Sequence, residues 1–422
     1  IQTSNFSLPD LAYHLQRTQN RSFPYALATT ATDPSDLSSK LSDPTSSKLP
    51  SKAKPVVLAF GGQSTDRVGL DEGVYKSSVL FRQHIDNCDA VSRNLGLKGV
   101  LPDIFSQNPV EDVVVLHACL FTVQYATAMS WIDAGLQVDA LVGHSFGQLT
   151  ALCVSGSLSL EDGLKLVTGR AALMKKLWGP VRGSMISVEA NTETAEYLVS
   201  VVTQSAPDRQ LEIACYNGPT SHTLVGNPAA VDAVAEIVAA QPARFASVKT
   251  RKLNVTHGFH SVFTEPLLPA ITALGKTLKF AETPKIHLET CSRGSAWAEV
   301  RPELLAEHTR TPVYFGEAVS RLADRFGPCT WIEAGTGSSV TGMVRRALGT
   351  PQSSLHSFET VQLNKADAVS SLADVVTNLW KNGHNVKFWP FHRSQSEQYS
   401  YINLPPYQFK KSRHWIPYLE AM

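Results

Sequence analysis

Several things are scarce in this sequence, and each scarcity excludes a class of protein. There are six cysteines in 422 residues, Cys88, Cys119, Cys153, Cys215, Cys291 and Cys329, and no two are in CxxC spacing. That rules out a CxxC zinc or redox pair, and the low count rules out a disulfide scaffold. The cysteines read as free thiols, buried or half-buried, in a reducing cytosol. Charge of one sign is lacking: Lys+Arg is 38 and Asp+Glu is 37, a formal net charge of +1. A globally basic nucleic-acid binder is therefore excluded. No tandem repeat is found. No apolar run approaches the roughly 18 residues of a membrane span, and the richest stretch, Val113 to Val123, is broken by His117. No basic-then-apolar segment opens the chain, so no secretory signal is read. The first residues, from Ile1, look like mid-domain sequence, and a fragment of a longer cytoplasmic polypeptide is expected.

What is present suits a large globular protein. Hydrophobic residues make up 43% and charged residues 18%, ample for buried cores and against general disorder. Residues 1–54 form a first block, with a helix at 8–19, a strand at Pro24–Ala31, a capped helix at Asp36–Leu41 and a Ser/Pro/Lys-rich connector from Ser42 to Lys54. A second unit, 55–182, opens on the continuous apolar run Pro55–Phe60, which reads as a buried parallel strand. Helical patterns fill most of 73–95 and 111–135. A second buried strand, Ala140–Val142, runs into Gly143-His144-Ser145-Phe146-Gly147 and then a helix. Strand, tight turn and helix in alternation argue for an α/β sheet.

Residues 183–253 differ in texture. Strands at Met185–Val188, Leu211–Tyr216, His222–Val225 and near Ala246–Leu253 enclose helices at Thr192–Thr203 and Ala229–Ala240. The order βαββαβ is the ferredoxin-like pattern, and it reads as a small inserted subdomain. The α/β unit resumes over 254–359, with strands at His287–Cys291 and Thr330–Glu333. A final block, 360–422, has a helix at Val369–Trp380, a strand at Val386–Trp389 and an extended tail, Leu404-Pro405-Pro406-Tyr407-Gln408-Phe409.

The strongest chemical signal is Gly143-His144-Ser145-Phe146-Gly147, a G-x-S-x-G sequence set between an apolar strand and a helix. In that setting the glycines permit a sharp turn that exposes the serine hydroxyl. The helix N-terminus supplies a positive dipole and free N–H groups, and the N–H of Phe146 is placed to donate to an oxyanion. A serine nucleophile needs a base. The best candidate segment is His257-Gly258-Phe259-His260-Ser261, within which periodicity does not choose between His257 and His260.

Together these two segments closely resemble the acyltransferase domains of polyketide and fatty acid synthases, the malonyl-CoA:acyl carrier protein transacylase family. Phe60-Gly61-Gly62-Gln63, Gly169-Arg170 and Tyr216-Asn217-Gly218-Pro219 resemble further family elements in order and spacing. The match covers about 55–355. The flanks look like the linker after a ketosynthase (1–54) and a wrap-back segment that includes Arg413-His414-Trp415. The wording around Gln148 is most like fungal iterative non-reducing synthases.

The resemblance implies an α/β-hydrolase-like core carrying the small subdomain, and it implies roles. Ser145 would attack an acyl-CoA thioester, and His260 would act as base, oriented by a backbone carbonyl. Gln63 and Phe146 would supply oxyanion N–H groups. Arg170 would hold a malonyl carboxylate, and His144, Asn217 and His257 would line the substrate site. Phe259 would favour malonyl over methylmalonyl, because its ring occupies the room of a 2-methyl branch. The acceptor would be the phosphopantetheine thiol of an acyl carrier protein, drawn by basic groups such as Lys175, Lys176, Arg182, Arg345 and Arg346. The other partner would be the ketosynthase domain of the same polypeptide. No metal, resident cofactor, nucleic acid or membrane is implied.

Three departures from the family stand out: Gln148 where glutamate is common, Gly258 where alanine is commoner, and no proline in Glu333-Ala334-Gly335-Thr336-Gly337. Competing readings are an editing thioesterase or esterase on the same serine turn, a starter-unit transacylase, and a catalytically dead scaffold. The position of His260 argues against the first, since α/β-hydrolases place the histidine late. Ser145 and Arg170 argue against the second, and retention of Ser145, His260 and Arg170 together argues against the third.

Overall fold

A computed structural model describes residues 7–18, 20, 23–253, 255, 257–337 and 340–405. The tail motif from Pro406 onward, with Arg413-His414-Trp415, lies outside the described residues.

The chain begins with helix Leu8–Thr18 and two short strands, β1 (Tyr25–Ala26) and β2 (Ser47–Lys48), which pair antiparallel around helix Pro34–Ser42. The expected strand Pro24–Ala31 is thus only two residues long, and the expected linker contributes its pairing partner. The ladder stops at two residue pairs, Tyr25 with Lys48 and Ala26 with Ser47, so the rest of the expected strand has no partner strand.

The main sheet has five parallel strands: β3 (Val56–Phe60), β4 (Ala140–Gly143), β9 (His287–Glu289), β10 (Thr330–Glu333) and β11 (Ser357–Glu359), in the order β11-β10-β3-β4-β9. Every residue of β3 and β4 is buried, as a strand covered on both faces requires. Alternate residues serve two different cores. Val56, Leu58, Phe60 and Leu141 face a large cluster with Phe81, Phe121 and Trp131. Val57, Ala59, Ala140 and Val142 face a second cluster with Phe315, Leu322, Trp331 and Val344. Helix Val113–Asp133 lies in the first core. Contrary to the sequence expectation, it contains an 18-residue window apolar enough to cross a membrane by length and composition, but 72% of that window is buried inside the protein. All six cysteines are buried free thiols.

The smaller sheet comprises β5 (Ser184–Glu189), β6 (Leu211–Gly218), β7 (Ser221–Gly226) and β8 (Lys249–Lys252). All its pairings are antiparallel, in the order β6-β7-β5-β8. Helices Thr192–Ser205 and Pro228–Ala240 share a third core with it. The small sheet is tied to the larger unit by residues 311–314: Cys215 forms a parallel bridge with Val313, and Tyr216 N–H donates to the Val313 carbonyl at 2.9 Å.

Helix Ala368–Lys381 follows β11. The strand expected at Val386–Trp389 does not form. Val386 and Trp389 are both buried in the first core, and Trp389 starts a 3-10 turn through Pro390, which has no N–H for a ladder. Trp389 stacks on Phe81, with ring centroids 5.3 Å apart. The two ends of the described chain meet where Tyr13 stacks on Tyr399 at 4.4 Å.

Candidate active site

Ser145 lies between β4 and helix Phe146–Val154, beyond the carboxyl end of the strand, where open parallel sheets hold their ligands. Its backbone has φ +50° and ψ −116°, a strained conformation for a residue with a side chain. Crowding dictates the neighbouring glycines. A Cβ on Gly143 would lie 2.2 Å from the Gln148 nitrogen, and one on Gly147 would lie 2.3 Å from the Phe60 carbonyl oxygen. Phe146 opens the helix, so its N–H has no partner within it.

Of His257 and His260, it is His260 that the structure brings into hydrogen-bond contact with Ser145. His260 Nε2 lies 2.7 Å from Ser145 Oγ. Its Nδ1 lies 2.9 Å from the Thr311 carbonyl oxygen. A carbonyl only accepts, so Nδ1 carries the proton and Nε2 is left to accept from the serine hydroxyl. His260 is 1% exposed and has φ +59°. Burial holds its imidazole well below the ordinary histidine range, with His308, Arg170 and His144 adding to the effect. The ring therefore rests neutral.

Gln63 follows β3, and its Oε1 accepts from His117 Nε2 at 2.9 Å. The His117 ring in turn meets Phe146 edge-on at 5.0 Å. The turn before Gln63 is pinned by Gln124 Nε2, which donates to the Gly61 carbonyl at 2.7 Å, while Thr150 donates to Gln124 Oε1 at 2.7 Å. His144 Nε2 pairs with Asn217 Oδ1 at 2.9 Å, which links the nucleophile turn to the small sheet.

Arg170 projects from helix Leu160–Leu177 and is 3% exposed. Its Nε donates to Thr309 Oγ1 at 3.4 Å, and its guanidinium carbon lies 4.7 Å from the centroid of Phe259. Burial lowers its pKa to about 10. No carboxylate among the described residues pairs with it. His257 is tilted on Trp178 with ring centroids 4.5 Å apart, and burial, Arg182 and Arg170 push it down to about 4. Among the described residues no group of three His, Cys, Asp or Glu could hold a metal. Of the basic candidates for carrier attraction, Lys175 is engaged by Asp112 at 3.3 Å and Arg345 lies 4.4 Å over the Phe358 ring.

Four participants were not singled out in the sequence. His308 Nε2 donates to the carbonyl of Ser145 at 3.1 Å. Thr311 offers only its backbone, and Thr309 only a hydroxyl. Trp178 lies behind the His257 segment. None has a local motif; the one available signal was a second histidine shortly before Pro312-Val313. The open role of Gln148 also has an answer: its Oε1 accepts from the Cys291 N–H at 2.9 Å, tethering the nucleophile helix to the end of β9.

Ser145 and His260 are thus in hydrogen-bond contact, with the buried Arg170 near enough to depress His260, an arrangement suited to acyl transfer through a seryl ester. The acyl transferase domain family matches residues 57–397. Methylphloroacetophenone synthase of Cladonia uncialis is 48% identical over 413 residues, 97% of this chain. Non-reducing polyketide synthase pkbA of Emericella nidulans is 46% identical over 421 residues, 98% of this chain. The chain spans 16% of the length of each. The crystal structure of the acyltransferase domain from the second module of the salinomycin polyketide synthase superimposes with a TM-score of 0.76 at 25% identity, covering 94% of this chain and 92% of that one. By sequence and by fold, the chain is an acyltransferase and belongs to the acyl transferase domain family of polyketide synthases.

Proposed function

We propose that this domain transfers a malonyl unit from malonyl-CoA through Ser145 to the phosphopantetheine thiol of an acyl carrier protein. The observation that carries the reading is Arg170, a buried cation beside the dyad without a carboxylate partner among the described residues. A buried charge is costly until something pairs with it. A malonyl group brings a carboxylate, and a guanidinium fork suits it in a way an ammonium does not.

The chemistry follows from the tautomer. His260 Nε2 takes the Ser145 proton as Oγ adds to the thioester carbonyl, and Thr311 steadies the imidazolium through Nδ1–H. The N–H groups of Gln63 and Phe146 hold the oxyanion. Collapse breaks the C–S bond, and the proton passes from His260 to the departing CoA thiolate. In the second half, His260 takes the carrier thiol's proton, the thiolate attacks the seryl ester, and Ser145 recovers its hydrogen. His144, Asn217 and His257 line the acyl site in this reading, and Phe259 crowds any 2-methyl branch.

We read the larger unit as α/β-hydrolase-like and 183–253 as ferredoxin-like, on strand order. We read 1–54 and 360–422 as linkers that face a ketosynthase in a cytoplasmic polypeptide. No observation favours a thioesterase or a starter-unit transacylase.

The test is intact-protein mass spectrometry after brief incubation with malonyl-CoA, with acetyl-CoA in parallel. A malonyl adduct on Ser145, absent in S145A and selectively weakened in R170A, supports the reading. Acetyl labelling without malonyl labelling overturns it.

A further inference from the structure

Beyond His257, whose ring lies 6.1 Å away, Phe259 has two nearer neighbours. One is the Arg170 guanidinium, over its face. The other is Trp178, whose ring meets it at 5.1 Å with an interplanar angle of 74°. Trp178 is 4% exposed and closes helix Leu160–Leu177, its N–H bonded to the Met174 carbonyl at 3.2 Å. It also packs on His257 at 4.5 Å. The residues that follow it clasp the same segment. Gly258 N–H donates to the Arg182 carbonyl at 2.7 Å. Gly183 has φ +76°, and a Cβ there would lie 3.1 Å from the Gly258 Cα. Residues 178–183 therefore form a strap across 257–259.

An aromatic ring beside the acyl site excludes a branched substrate only if it cannot move aside. Protein interiors are close-packed, so a ring yields only where a neighbour yields. Trp178 is the large buried neighbour whose retreat would be needed. We propose that Trp178 determines acyl-unit selectivity by denying Phe259 the room to withdraw from a 2-branched malonyl group. This rests on the malonyl reading above and adds to it a residue that does not itself meet the substrate. The indole Nε1–H is buried and has no acceptor among the described residues, so the ring's bulk, not its hydrogen bond, is what the site uses.

The experiment measures initial rates of Ser145 acylation by malonyl-CoA and by methylmalonyl-CoA in the wild type, W178F, W178L and W178A. The expected result is that the malonyl-to-methylmalonyl rate ratio falls about tenfold in W178A, the usual weight of one methyl in an apolar pocket. That fall comes through a gain in methylmalonyl acylation. W178L shows a smaller fall, and W178F keeps the wild-type ratio. Parallel loss of both rates with the ratio unchanged in W178L and W178A overturns the proposal, as does a relaxed ratio in W178F. If W178A does not fold, W178L decides by the same criteria. A wild-type protein that takes no malonyl unit overturns the malonyl reading itself, and that control separates the two failures.

Discussion

His308 donates through Nε2 to the backbone carbonyl of Ser145 at 3.1 Å, and its ring stands edge-on to His260 with centroids 5.7 Å apart. One histidine thus holds the strained main chain of Ser145 while the other lies within hydrogen-bond reach of its hydroxyl. Burial pushes His308 down to about 3, so it stays neutral.

Removing that support exposes its worth. H308A removes one of two donors to the half-buried Ser145 carbonyl, which also accepts the Gln148 N–H at 3.0 Å, at a cost of about 0.5–1.5 kcal/mol. Chemical denaturation of H308A is expected to show a loss of that size, and Ser145 acylation to slow about tenfold or more.

Arg170 is expected to act on malonyl units alone. R170A loses a charge-assisted pair of about 2–5 kcal/mol, so malonyl acylation falls by at least about 30-fold while acetyl acylation does not fall. R170K is not expected to restore the rate, because an ammonium lacks the bidentate fork. Paired labelling with the two thioesters checks both statements.

The acid limit follows from the buried histidines. His117, His144, His257 and His308 are pushed down from 6.5 to about 3, 4, 4 and 3, in each case chiefly by burial, and His260 is also held low. Each group's folded value lies below its unfolded value, so the unfolded chain binds more protons between the two. Stability is therefore full above pH 6.5 and declines as pH falls through the window down to about 3–4. Acylation by a base held this low stays flat through pH 6.5 and declines only below it. Thermal melts and rates over the same pH series test both.

Arg310 bridges the units, meeting Glu212 at 2.9 Å and Glu265 at 3.1 Å, while Glu212 also accepts from the Val262 N–H at 3.0 Å. All three side chains are partly exposed, so R310A is expected to cost about 1 kcal/mol. The cost should shrink in added salt. Denaturant midpoints at two ionic strengths measure it.

The strand–serine–helix turn was legible because a buried parallel strand and a helix start carry strong local patterns. The small subdomain was legible for the same reason, its strands and helices each announcing their period. His260 could not be separated from His257 by pattern, since both sit in one irregular segment and only a distance tells them apart. Thr311 was out of reach because a backbone carbonyl has no residue signature. The two-residue strands β1 and β2 were too short for any period to show. At Val386–Trp389 an apolar run looked like a strand, but Val386 and Trp389 are core anchors of an irregular segment.

The alternation of β3 and β4 between two cores has a consequence for where Gln63 lies. Phe60 lies opposite Gly143 in the ladder, and the Phe60 carbonyl receives the His144 N–H at 2.9 Å. A slip of β3 by one position would exchange the residues offered to the two cores. It would also carry Gln63 about 3.3 Å along the sheet, away from Ser145. The hydrophobic partition of a five-residue strand therefore works as a vernier, setting the spacing between Gln63 and Ser145.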